Sequence, residues 1–142
     1  MMGETMQYVF GIDIGGTSIK IGLFTPDGEL LTEEKVPTPA LISREAYRTV
    51  CHALEEVVAS RDGRPEDVIA CGLDIPGPVA DDGTVGFLAN VQLNPEELVQ
   101  AISAALPNAT VAFVNDANAA ALGEAWAGVA VGAPSFVLIA IG

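Results

Sequence analysis

Tyr8-Val9-Phe10-Gly11-Ile12-Asp13-Ile14 is an apolar run that stops at Gly15-Gly16-Thr17, and Ile19-Lys20-Ile21-Gly22-Leu23-Phe24 is a second run beyond it. Two such runs around a glycine turn read as a β-hairpin. Pro26-Asp27-Gly28 is the next turn signal, and Leu30 to Val36 is a third, more polar run of edge character. Three strands joined by tight turns make an antiparallel meander. The apolar period then lengthens. Tyr47, Val50, Cys51, Leu54, Val57 and Val58 follow the 3–4 spacing of an amphipathic helix with Ser43 at its N-cap. On its polar face lies His52, the one histidine, with Arg48, Glu55 and Glu56, and there it reads as a solvated side chain.

Val68 to Ile75 is a fourth strand, closed by Pro76-Gly77-Pro78. Asp81-Asp82-Gly83 is a turn, and Thr84 to Ala89 reads as a short extended piece. Asn94-Pro95-Glu96-Glu97 reads as a helix start with an Asn cap, Pro at the first position and a capping-box Glu three residues on. Leu98, Ile102, Ala105 and Leu106 are its buried face. Val111 to Val114 is a fifth strand that runs into Asn115-Asp116, and a small-residue helix follows from Ala117 to about Ala127. Phe136 to Ile141 is one more apolar strand. Later strands that each return through a helix lie parallel in one sheet. The expected fold class is α/β: a mixed five-stranded sheet, antiparallel meander plus parallel strands, with helices on both faces.

The 142 residues suit one compact domain, and half are hydrophobic, enough for a real core. Six Lys and Arg against 19 Asp and Glu give a net charge of −13, which repels phosphate backbones and anionic lipid. The expectation is no nucleic-acid partner and no membrane surface. Any phosphorylated ligand would be held by backbone N–H groups, a metal ion or a few local cations. Cys51 and Cys71 have neither disulfide-framework nor zinc-ligand spacing and read as small buried residues. No basic n-region or apolar h-region marks the first residues, so a cytoplasmic location is expected. Ala125 to Gly142 is uncharged, but Gly128, Gly132, Pro134 and Ser135 interrupt it, and it reads as a helix end, a turn and a buried strand.

Three clusters can carry chemistry. Asp13 to Lys20 lacks the spacing of a P-loop or a dinucleotide fingerprint. It does offer Gly15 and Gly16 for close backbone approach, Thr17 as a further donor, and Asp13 for a divalent cation. A plain hairpin turn is the other reading. Asn115-Asp116-Ala117-Asn118 sits at a strand-to-helix junction, where α/β sheets place ligands and where such residues also cap helices. Gly72 to Pro78 is a side-chain-poor loop suited to a cleft wall or to an ordinary turn. Asp74 within that strand has no reading from sequence beyond a hydrogen bond to a neighbouring loop.

Together, Gly11 to Leu23, Gly72 to Val79 and Val114 to Glu124 resemble the first phosphate motif, the Pro-Gly-Pro loop and the catalytic motif of the ROK family (repressors, open reading frames and sugar kinases). The resemblance implies the actin-like, ribonuclease-H-like N-terminal domain of an ATP-dependent, glucokinase-like sugar kinase. By motif match, Asp116 is the general base, and Asn115 holds neighbouring sugar hydroxyls. Asn90 and Gly77 fall where the family contacts sugar. Gly15, Gly16 and Thr17 lie against the phosphates of ATP, Asp13 lies near Mg²⁺ directly or through water, and Lys20 completes the motif. Residues 1–134 are expected to form this domain and 135–142 to open a second one. The rest of the cleft, and the cysteine-rich structural zinc motif of many members, would lie further on. A sugar-sensing regulator lacking its DNA-binding part, or a non-catalytic actin-like interaction domain, are the alternatives. The 142-residue chain alone is expected to be inactive. Its strand from Phe136 to Ile141 is expected to fold back or to pair with another copy as a homodimer.

Overall fold

The computed structural model describes residues 6–135. Five strands, β1 (Tyr8–Ile14), β2 (Ser18–Phe24), β3 (Leu30–Pro37), β4 (Val68–Ile75) and β5 (Thr110–Asn115), form one sheet in the order β3-β2-β1-β4-β5. The meander β1-β2-β3 is antiparallel, while β4 and β5 join parallel to β1. Three helices, α1 (Arg44–Ala59), α2 (Pro95–Ala105) and α3 (Asp116–Ala127), complete the domain. The expected strand at 136–141, with its fold-back or pairing and the second domain it would open, lies outside the described residues.

Alternation along β1 places Tyr8, Phe10, Ile12 and Ile14 on one face, where they join Ile19, Ile21 and Leu23 of β2 and Cys71, Leu73 and Ile75 of β4. Helices α1 and α2 cover that face through Tyr47, Val50, Leu54, Val57 and Val58 and through Leu98 and Ile102. None of the described side chains of α3 joins that core, and Trp126 lies against Gly28 of the β2–β3 turn. Gly28 and Gly83 adopt φ of 95° and 88°, the left-handed values that these turns require.

The helix starts follow the sequence with one correction. Ser43 accepts from the Ala46 N–H at 3.2 Å, and Asn94 accepts from the Glu97 N–H at 3.2 Å. The capping box expected from Glu97 does not close, because its carboxylate accepts instead from the Tyr47 hydroxyl at 2.7 Å and ties α2 to α1. The tertiary partner wins. Of the extended piece expected over Thr84 to Ala89, only a bridge between Val79 and Val85 forms. A 3-10 turn at Pro65–Asp67, unexpected from sequence, carries a buried Asp67 held by Arg64 at 3.0 Å.

Candidate active site

Strands β1, β4 and β5 run in the same direction and in register, so the residues that end them share one edge of the sheet. There the Gly-Gly-Thr turn, the Pro-Gly-Pro loop and Asn115-Asp116 come together. Gly15 donates its N–H to the Ser18 carbonyl at 3.0 Å, and the Gly15 carbonyl accepts from the Thr38 hydroxyl at 2.7 Å. Gly15 is therefore spent on closing the hairpin. The N–H groups of Gly16 and Thr17 have no acceptor among the described residues and remain available to an anion. Neither glycine has a positive φ; they are needed for space. A Cβ on Gly15 would lie 3.0 Å from the Ser18 carbonyl oxygen, and one on Gly16 would lie 3.3 Å from that of Asn90. Asn90 thus lies beside the turn, although the two are far apart in sequence.

At the β5–α3 junction the strand passes into the helix without a loop. Asn115 Oδ1 accepts from the N–H groups of Ala117 at 3.0 Å and Asn118 at 3.2 Å, and its Nδ2 donates to the Gly77 carbonyl at 2.7 Å. Asp116 is exposed. Its Oδ1 accepts from the Ala117 N–H at 2.8 Å, and its Oδ2 has no donor among the described residues. One oxygen orients the carboxylate while the other faces solvent with its lone pairs free, the state a general base needs.

Register adds a residue whose place sequence left open. Lys20, Asp13 and Asp74 are consecutive across β2, β1 and β4. They line a cavity of about 270 Å³ with Gly11, Gly22 and Phe24 on the face opposite the α1–α2 core. Asp74 Oδ1 is buried without a hydrogen-bond partner. Burial, together with the neighbouring Asp13 and the charge of Asp116, pushes the Asp74 carboxyl up to about 8, against a smaller opposing effect of Lys20. An orphaned carboxylate oxygen beside Asp13 is the donor chemistry that a hard divalent cation takes, so the residues fit Mg²⁺. No group of three metal-ligating side chains forms among the described residues, so a cation here would draw its remaining ligands from phosphate and water.

Elsewhere the cysteines are inert. Burial raises Cys71 to about 12 and Cys51 to about 11, and both thiols are free. His52 is exposed and lies 3.2 Å from Glu56, a surface pair as expected. Among the described residues no helix is long and apolar enough to cross a membrane.

The mixed five-stranded sheet with its helices matches the actin-like fold of the ROK kinase structures. The ROK family pattern matches residues 9–142, and the chain belongs to that family. It is 39% identical over 118 residues to N-acetyl-D-glucosamine kinase of Citrobacter koseri, a match covering 82% of this chain and 37% of that protein. Among solved structures, it resembles the ROK family glucokinase from Streptomyces griseus in complex with glucose and AMPPNP. That match has a TM-score of 0.71 and 33% identity, covering 88% of this chain and 38% of the other. The ROK hexokinase from Thermus thermophilus matches with a TM-score of 0.67 and 30% identity, covering 84% and 38%. A ROK family transcriptional regulator homologous to the E. coli MLC protein shares the fold at 20% identity and a TM-score of 0.69, covering 88% and 32%. The chain spans less than two fifths of the length of the curated relatives it matches.

Proposed function

We propose that this chain supplies one wall of the cleft of a cytoplasmic kinase that transfers the γ-phosphoryl group of ATP to a hexose, in the manner of a glucokinase. The observation that carries the reading is the free Oδ2 of Asp116 at the sheet edge, beside the loop and turn that would hold the two substrates. In the reaction, Asp116 takes the proton from the sugar hydroxyl as it attacks. Asn90 and Gly77 face the sugar. The N–H groups of Gly16 and Thr17, with Lys20, face the phosphates, and Gly15 holds the turn closed. Asp13, with Asp74 beside it, would hold Mg²⁺. When bound, that ion neutralises charge on the transferring phosphoryl group. Phosphoryl transfer asks a protein mainly for positioning and charge neutralisation, and this edge is built for both.

A regulator would need no base at Asp116. The complete protein, assayed for ADP release with ATP, Mg²⁺ and either glucose or N-acetylglucosamine, is expected to turn over at least one of them. Asp116→Asn should then lower kcat by about 10²–10⁴-fold and leave sugar affinity within about tenfold. Near-normal turnover of that variant would return Asp116 to a capping role.

A further inference from the structure

Two carbonyls of the Gly-Gly-Thr turn are held from outside the hairpin by one residue, Thr38, which follows β3. Its hydroxyl donates to the Gly15 carbonyl at 2.7 Å, and its backbone N–H donates to the Thr17 carbonyl at 3.1 Å. In a planar trans peptide the C=O and the N–H point in opposite directions. The Gly15 carbonyl and the Gly16 N–H belong to one such unit, so drawing the oxygen toward Thr38 aims the Gly16 N–H away from it. That N–H is one of the two in the turn with no acceptor among the described residues. With no side chain at 15 or 16, the peptide between them is free to rotate unless its oxygen is held. Thr38 is itself anchored. Pro39 disfavours helical backbone at Thr38, and Leu41, fully buried, donates its N–H to the Gln92 carbonyl at 2.9 Å and accepts from the Asn94 N–H at 2.8 Å. The strap from Thr38 to Leu41 thus runs from the phosphate turn to the segment that carries Asn90, which lies beside Gly16.

We infer that Thr38 is a positioning residue for the nucleotide: its hydroxyl fixes the peptide between Gly15 and Gly16, so that the Gly16 N–H is already aimed at a phosphate oxygen when ATP arrives. Orienting the donor in advance spares the ordering cost at binding. The inference rests on the sugar-kinase reading and deepens it, and the two can fail separately. Thr38→Val keeps the shape of the side chain and the backbone bond to Thr17 but removes the hydroxyl. Thr38→Ser keeps the hydroxyl.

In the complete protein, titration calorimetry with ATP and Mg²⁺ should show binding about tenfold weaker in Thr38→Val than in the parent. Glucose or N-acetylglucosamine, whichever the parent binds, should keep its dissociation constant within about twofold, because the hydroxyl acts on the phosphate turn alone. Thr38→Ser should return ATP affinity to within about threefold of the parent. Unchanged ATP affinity in Thr38→Val, an equal loss for ATP and sugar, or no rescue by serine would each overturn the positioning role. Backbone hydrogen exchange on the same proteins supplies a second readout. The amides of Gly15, bonded to the Ser18 carbonyl, and of Thr38 itself should exchange faster in Thr38→Val and at the parent rate in Thr38→Ser. If the parent binds no ATP, the kinase reading fails while exchange still decides whether the hydroxyl holds the turn. Unchanged exchange at both amides would overturn it.

Discussion

Asp74→Asn should flatten the pH dependence of stability. Burial and the adjacent Asp13 raise the Asp74 carboxyl from the ordinary 3.8 to about 8, so between those values the folded chain holds a proton that the unfolded chain releases. Stability therefore falls as pH rises through that window, is unaffected by this group below about 4, and has lost the full contribution above about 8. At face value so large a rise is worth about 5–6 kcal/mol. Solvent reaches part of the carboxyl and screens its repulsion from Asp13, leaving about 1–3 kcal/mol. Asparagine keeps the size of the side chain, cannot ionise, and has an N–H to offer Asp13. Urea denaturation of both proteins at pH 5 and pH 8.5, at constant ionic strength with a chelator present, provides the comparison. The difference between proteins is the quantity to follow, because a net charge of −13 destabilises both alike as pH rises. The variant should gain about 1–3 kcal/mol on the parent between the two pH values. Parallel curves would refute the argument and place the Asp74 carboxyl in water.

Gly77→Ala forces a methyl group against Leu88 and shifts the loop, so kcat/KM of the complete protein should fall by on the order of 10²-fold while its melting temperature drops only a few degrees. Ser43→Ala removes the side-chain cap of α1 and should cost about 1 kcal/mol in urea denaturation, with no effect on turnover of the complete protein. The 142-residue chain by itself should release no sugar-dependent ADP above background, since kinases of this shape close two walls around the nucleotide; clear turnover would show that one wall suffices.

Most of the fold was legible because its signals are local. Strict alternation along Tyr8 to Ile14, the 3–4 spacing in α1 and the caps at Ser43 and Asn94 each lie within a few residues, and the structure reproduces them. The antiparallel meander and the parallel return of the helix-linked strands were legible in the same way, whereas the order β3-β2-β1-β4-β5, with β4 beside β1, comes from the structure. What sequence did not show depends on partners distant along the chain. Glu97 leaves its own cap for Tyr47, 50 residues away; Asn115 reaches Gly77 over 38; Thr38 braces Gly15 over 23. Asp74 is the clearest case. In sequence it is an acid in an apolar strand, and only the register opposite Asp13 turns it into half of a carboxylate pair.

Register also separates the two halves of this edge. In a parallel sheet, paired residues share a face, so Asn115, opposite Ile75, lies toward the α1–α2 side, whereas Asp13 and Asp74, one step back, lie toward the cavity. The tie between loop and helix is thus built on one side of the sheet and the Asp13–Asp74 pair on the other, with Asp116 at the head of α3. A slip of one residue between β4 and β5 would exchange the faces, turning Asn115 away from the loop it holds and carrying Phe113 out of the core. The row formed by buried Ile12 and Leu73 and half-buried Phe113 resists that slip. The hydrophobic pattern that specifies the sheet therefore also specifies the spacing of the site, and core substitutions along that row should affect turnover before they affect substrate-contacting groups.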